Sequence, residues 1–388
     1  MQLLNSPSSE ETAANSDNQP VRNDAEQILS VLQDITKTQI KPNFCVHHPD
    51  YQPSELPEEV IARFQGMPSE VQNRYVSLIL RSFLYGIFYN GSMRSALALD
   101  APTKGQPLDL DNNTVLGVDL KFYEQLHNSN CGQGYFDPGW LILREETDGS
   151  LAVKKGELTL HIERDASGDR RYRHLQDTEK SATVGNTVAI LMPKNFVQNG
   201  FYMAVSNQGV EDYTHPQQPS QTVRIYFNLT PEGAIAVMSA LTQKLNEIGI
   251  PFTFKALYNP ADYGRYDSGV LYFQKNHYAT VRTVLQIVYI QTRKHFQPEI
   301  PLFTKFLASG LGLAEEPDQK FSTQESFGMN RCQIVANGLL SAWHQGDDTP
   351  EARLNAIFQS FSLLGIDWER AYLNAKSEDI YTPLDLWK

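Results

Sequence analysis

The sequence predicts an α+β fold: a mixed, partly antiparallel β-sheet with a strand-helix-strand unit, set between helical N-terminal and C-terminal parts. Three observations predict it. Apolar residues recur at helical spacing through roughly the first 95 residues and again from Ser326 onward. From Asn130 to Ser206, short alternating runs are separated by turn residues. At residues 223–257, a strand, a capped helix and a second strand follow one another without a break.

The helical elements come first. Residues 24–38 place Ile28, Leu32 and Ile35 on one face, which predicts a short helix. Residues 41–57 read as irregular and proline-rich. Residues 57–65 and 69–88 read as helices, with Ser69 placed to cap the second and Val71, Tyr75, Leu78, Leu84 and Phe88 repeating along it. The β region then offers strands at 140–144, 151–155, 158–163, 187–192 and 201–206, with Asp148-Gly149 as a hairpin turn. The charged stretch 165–183 reads as a mobile loop.

The unit at 223–257 is the most legible. Val223, Ile225, Phe227 and Leu229 alternate with Arg224, Tyr226 and Asn228, so one face is apolar and the other polar. Thr230 is a natural N-cap, Pro231 suits the first helical position, and Gly249 stops the helix. Residues 252–257 form the second strand. A unit this tight usually makes a crossover between parallel strands, which would put Lys255 on the same sheet face as Arg224. Residues 268–274 read as a further strand and 277–296 as a helix. Three regions follow: a disordered acidic tail (1–22), a mainly helical N-terminal region (23–125) and an α+β region (126–388).

Composition narrows the function classes. The 388 residues suffice for a large core. No apolar run is long enough to span a membrane, and residues 1–20 lack the basic and apolar segments of a secretory signal. Cys45, Cys131 and Cys332 match neither a zinc spacing nor a disulfide framework, which points to a reducing cytoplasm. The net charge of −12 argues against nucleic-acid binding. Residues 1–60 hold ten acids against three bases, so the main body is only mildly acidic and has room for cationic pockets.

Four clusters carry candidate chemistry. The first is the polar face of the 223–229 strand, because arginine grips phosphate or carboxylate through two parallel hydrogen bonds; the alternative is an edge strand with a solvated polar face. The second is the glycine-rich loop 128–140, containing Asn130, which can turn backbone N–H groups toward an anion or can be a tight connection before a strand. The third is Lys154, Lys155 and Lys194 at strand ends, where partial desolvation beside other cations would favour a base, although most lysines are simply solvated. The fourth is the stretch 325–339, with Arg331 in the second turn of a helix and Cys332 beside it. There is no HExxH, GxSxG, CxxC or Walker pattern, and His47-His48 lies in a proline-rich segment, so neither metal nor cofactor is expected.

The segments GFYMAVSN (200–207), VRIYFNLTPEGA (223–234), PLFTKFLASGLGLAEEP (301–317) and ESFGMNRCQIVANGL (325–339) together resemble the HopA-type effector family, over roughly residues 75–340. That family contains type III effectors of plant pathogens and stand-alone proteins of peptide-modifying bacterial gene clusters. The latter branch resembles the lyase of class V lanthipeptide and thioamitide pathways. The resemblance implies elimination of phosphate from phosphoserine or phosphothreonine in a precursor peptide, leaving dehydroalanine or dehydrobutyrine, without metal or nucleotide. A phosphorylated precursor peptide and a cognate kinase would be the partners, in the cytoplasm.

Such chemistry needs a base, cations for the dianion and a donor for the developing enolate. The sequence assigns Lys194 or Lys155 as base, Tyr226 as acid or orienting group, and Arg224, Arg331, Lys255, Asn228 and Asn130 to the phosphate and substrate. The alternative implied by the same resemblance is a non-catalytic effector, secreted into a host cell, or a module that docks a peptide or a kinase.

Overall fold

The computed structural model describes residues 24–100, 114–115, 117–163, 175–179, 181–198, 200–209, 222–347 and 349–386. The expected tail at 1–22 and most of the expected loop at 165–183 lie outside the described residues.

The chain opens with α1 (Asp24–Ile35), β1 (Gln39–Lys41), β2 (Cys45–His48), β3 (Tyr51–Ser54), α2 (Glu58–Gln65) and α3 (Ser69–Leu84). α3 runs on into a π-helical turn, Tyr85–Tyr89. β1, β2 and β3 form a small antiparallel sheet in the stretch read as irregular. Their three or four residues, punctuated by Pro42 and Pro53, are too few to show a period. Val46 and His48 nevertheless alternate inward and are fully buried.

Next come β4 (Thr114–Val115), β5 (Val118–Asp119) and α4 (Leu120–Ser129). The sequence reading missed α4. Its signal was the cap: Asp119 accepts from the Phe122 amide at 2.9 Å, and Phe122 and Leu126 are the buried pair one turn apart. The next four strands are β6 (Tyr135–Glu145), β7 (Leu151–Lys155), β8 (Leu158–Ile162) and β9 (Thr187–Met192). They make an antiparallel sheet in the order β8-β7-β6-β9 around its own core of Trp140, Ile142, Leu151, Val153, Val188 and Ile190.

The rest of the chain builds the main body. It contains β10 (Asn195–Gln198), β11 (Phe201–Val205), β12 (Thr222–Phe227), α5 (Pro231–Glu247), β13 (Thr253–Leu257), β14 (Gly269–Gln274), α6 (Tyr278–Thr292), β15 (Lys305–Ala308), β16 (Leu311–Glu315), α7 (Phe327–Gln345) and α8 (Pro350–Leu363). Seven strands pair in the order β10-β11-β13-β14-β12-β16-β15, antiparallel at every step. The fold is therefore α+β, as the sequence predicts.

β12, α5 and β13 form as read. The Thr230 hydroxyl accepts from the Gly233 amide at 3.1 Å, and Gly249 takes the left-handed conformation at φ 67° that ends α5. β14 inserts between β12 and β13, so those two strands run parallel without touching.

Register assigns the faces. Tyr202, Ala256, Gly269 and Phe227 lie in one cross-strand row. That face is covered by α4 and α6: Tyr202 meets Tyr123, and Phe227 meets Phe296. Tyr226 lies on the opposite face, against Tyr89 of the π-helical turn and Phe327 of α7. Fully burying a side chain such as Phe227, Phe254 or Phe273 contributes about 1.5–3 kcal/mol, so this two-sided packing fixes the sheet.

Candidate functional site

β12 is a central strand, not the edge strand that one reading of its alternation allowed. It pairs with β14 on one side and β16 on the other, and all six of its residues are buried. An amphipathic pattern cannot distinguish a solvated polar face from one covered by distant helices.

The two ends of the polar face differ. Tyr226 is 3% exposed, and its hydroxyl makes no hydrogen bond of good geometry among the described residues. Burial holds the phenol well above its ordinary pKa, so it stays protonated. Arg224, two residues away and 8% exposed, forms an ion pair with Glu316. Glu316 also takes Lys320 Nζ at 2.6 Å. Burial opposes the Arg224 charge, but Tyr272, Tyr226 and Glu316 more than offset it and keep the guanidinium protonated.

From Arg224 a row of alternating cations and rings crosses the sheet. Arg224 Cζ sits 5.0 Å from the Tyr272 ring centroid. Lys255 Nζ lies 5.5 Å from the same ring and 4.5 Å from the Phe201 ring. Arg265 Cζ lies 5.9 Å from Phe201 on its way to an ion pair with the buried Asp267. The register explains the convergence. Arg224 faces Tyr272, Tyr272 faces Thr253, and Lys255 follows two residues on, so all share one face. Phe201, Met203, Lys255 and Tyr272 are half-buried, which leaves this end of the face within reach of solvent.

Lys255 is the distinctive member. Its polar partner among the described residues is an amide, Gln198 Oε1 at 3.3 Å, whereas both arginines are matched by carboxylates. Four cations (Arg224, Lys255, Arg265 and Lys320) stand against two carboxylates (Glu316 and Asp267), an excess that suits an anion. Arg265, Tyr272 and Phe201 were not singled out from the sequence. Tyr272 alone had a local signal, as a phenol on the alternating strand GVLYFQ.

The other sequence-selected residues stand elsewhere. Lys194 donates to the carbonyls of His127 and Asn130, both at 2.9 Å, and so caps the C-terminus of α4. Burial lowers its pKa, yet its protons are committed to those carbonyls. Asn130 returns a hydrogen bond to the Lys194 carbonyl at 3.1 Å and donates to Tyr202 at 3.0 Å. Both pack on the α4 side of the sheet.

Lys155 lies on the four-stranded sheet, bound to both Asp137 oxygens at 2.8 Å. Asn228 is 2% exposed and ties the Glu299 carbonyl at 3.0 Å. Arg331 is 1% exposed; it donates to the carbonyls of Ala371 and Leu373 and to Asn330, anchoring the C-terminal segment. Burial brings its pKa down to about 10. Arg224 and Lys255 are thus the two chosen residues that the fold brings into one row, buried at Arg224 and within reach of solvent at Lys255.

Two further groups have structural roles. Asp34, His48 and Asp50 come close enough to suggest a metal site. The Asp50 amide, however, donates to His48 Nδ1, so Nε2 must carry the proton it shares with the Asp34 carbonyl. That leaves no ring lone pair for a metal, and Lys37 neutralises Asp34 at 2.7 Å. Cys332 is buried and burial raises its pKa, which keeps it a thiol. No helix among the described residues is long and apolar enough to cross a membrane.

Comparison with known proteins adds the following. The effector protein from Pseudomonas syringae pv. tomato strain DC3000 is similar in structure, at 16% identity and a TM-score of 0.43, covering 92% of this chain and 100% of that one. The effector protein from Pseudomonas syringae pv. syringae strain 61 gives 13% identity and a TM-score of 0.43 over the same shares. No curated protein matches the chain. Residues 192–373 match the model of the HopA1 effector protein family, which bears out the HopA-type resemblance over the stretch holding Arg224, Lys255, Arg265 and Tyr272.

Proposed function

We propose that this protein is a HopA-type, effector-like module that docks a phosphorylated peptide on the open end of the seven-stranded sheet, without chemistry of its own. One observation carries the reading: Lys255, without a carboxylate partner among the described residues, stands between two arginines on a half-buried platform of Tyr272 and Phe201. A phosphate would take charge-assisted hydrogen bonds from Lys255 and from Arg224 or Arg265, and the rings would carry the adjoining residues. The family match over 192–373 supports an effector role, with delivery to a host cell as its setting.

Phosphate elimination on the same face is the second reading, and the convergence of cations favours it too. It requires a base in the row. Lys194 and Lys155 are engaged elsewhere, so Lys255 would have to serve.

Incubating the purified chain with a phosphothreonine peptide and its unphosphorylated twin separates the readings. Docking predicts phosphate-dependent binding with the peptide mass unchanged. Loss of the mass of phosphoric acid, abolished in Lys255→Met, would replace docking by elimination. Failure to bind or convert the phosphopeptide would remove both.

A further inference from the structure

Building on the docking proposed above, we infer that the phosphopeptide joins the seven-stranded sheet as an extended eighth strand along the edge of β10, with its phosphothreonine beside Gln198 and Lys255.

β10 ends the sheet on one side and β15 on the other. The β15 edge is covered: the Phe306 amide donates to the Asp24 carboxylate at 3.3 Å, and the Leu384 amide to the Leu307 carbonyl at 2.9 Å. The β10 edge is open. The Lys194 carbonyl accepts the Val205 amide, which puts Lys194, Phe196 and Gln198 in the pairs that bond to β11. The main-chain N–H and C=O groups of Asn195 and Val197 therefore point away from the sheet, and they meet no main-chain partner among the described residues. The Val197 side chain is 62% exposed. Edge strands are ordinarily blunted by charge, proline or a bulge. Asn195–Gln198 holds no charge and no proline, and its register with β11 is unshifted.

The same edge adjoins the cation row. Register puts Phe196, Gln198, Phe201 and Lys255 on one face. Lys255 leans outward from β13 over the Phe201 ring, and its Nζ reaches Gln198 Oε1 on β10 at 3.3 Å. In a strand added to β10, the residue opposite Gln198 sets its Cβ about 4.5–5.5 Å from that of Gln198, on the face where the Lys255 ammonium ends. A phosphate there accepts from Lys255 Nζ and from the Gln198 Nε2 amide. The residue two places along meets the half-buried Phe196. The ligand class is an extended chain carrying phosphothreonine and an apolar residue two places from it. Main-chain bonds to Val197 supply affinity, and these two side chains supply specificity.

Fluorescence anisotropy of the full chain with labelled Ser-Val-Ser-pThr-Ser-Val-Ser, its unphosphorylated form and a scan of singly N-methylated forms tests the inference. Methylation should weaken binding tenfold or more at every second amide, where the N–H faces β10, and leave the intervening amides at full affinity. Val197→Pro deletes the outward N–H at a position where an edge strand tolerates proline, and should weaken binding by a similar factor with the urea midpoint nearly unchanged. Phosphate-dependent binding without alternation in the methyl scan would overturn the edge mode and leave docking on the sheet face standing. Absence of phosphate-dependent binding would overturn docking and the edge mode together.

Discussion

Arg224 and Lys255 should separate stability from recognition when each is replaced by methionine. Arg224 and Glu316 have side chains only 10% and 13% exposed, so removing the guanidinium strands a nearly buried carboxylate. Breaking a fully buried pair costs about 3–5 kcal/mol. Here Glu316 keeps Lys320 at 2.6 Å, which brings the expected cost down to about 2–3 kcal/mol, part of it the lost contact with Tyr272. Lys255 is half-buried and bound to one amide, and methionine preserves its packing on Phe201, so the expected cost is below about 1 kcal/mol.

Urea unfolding followed by tryptophan fluorescence, at constant slope, reads both differences. Neutralising the stranded acid in Arg224→Met/Glu316→Gln should recover about 1 kcal/mol of the loss. Equal costs at the two positions, or a double variant no better than Arg224→Met alone, would refute the reasoning. Arg224 is therefore a confounded probe of recognition, and Lys255 is the clean one.

Three further outcomes are expected. Tyr226→Phe removes a buried hydroxyl that lacks a good partner, so the unfolding free energy from urea titration should hold or rise by up to about 1 kcal/mol; a loss of more than that would mean the hydroxyl is bonded after all. Gly338→Ala would put a Cβ 2.6 Å from the Ile357 backbone where α7 meets α8, and should cost about 1–3 kcal/mol, whereas Gly346→Ala, with open space, should show only the strain of its left-handed φ. His127 sits below its ordinary value of 6.5 because burial and the Lys194 ammonium both disfavour its charged form. The unfolded chain therefore takes up a proton at higher pH than the folded one, and the stability from neutral His127 is full above about pH 6.5 and lost as the pH falls through and below it. In His127→Asn that part of the decline between pH 7 and 5 should vanish from the urea midpoints.

Local chemistry made part of this legible in the sequence. Thr230, Pro231 and Gly249 mark the start and stop of α5, and Ser326 marks the start of α7, because caps and breakers act within a few residues. β15 and β16 were missed, since Gly310 and Gly312 interrupt a short apolar run that shows no clear period. The candidate site was half legible. Arg224 and Lys255 stood out on alternating strands, but the burial of Arg224 depends on Glu316, 92 residues away. Arg265, Tyr272 and Phe201 join the row through a register among distant strands that no local pattern encodes. The lysines chosen as bases looked free because a helix terminus and an aspartate that engage them lie far along the chain.

The most direct test of the central claim is a fluorescence-anisotropy titration of a phosphothreonine peptide against the wild type and Lys255→Met. Losing one charge-assisted hydrogen bond, about 1.5–3 kcal/mol, should weaken binding at least tenfold while the urea midpoint stays nearly unchanged. Equal affinity for the phosphorylated and unphosphorylated peptides, or full affinity in Lys255→Met, would contradict the account.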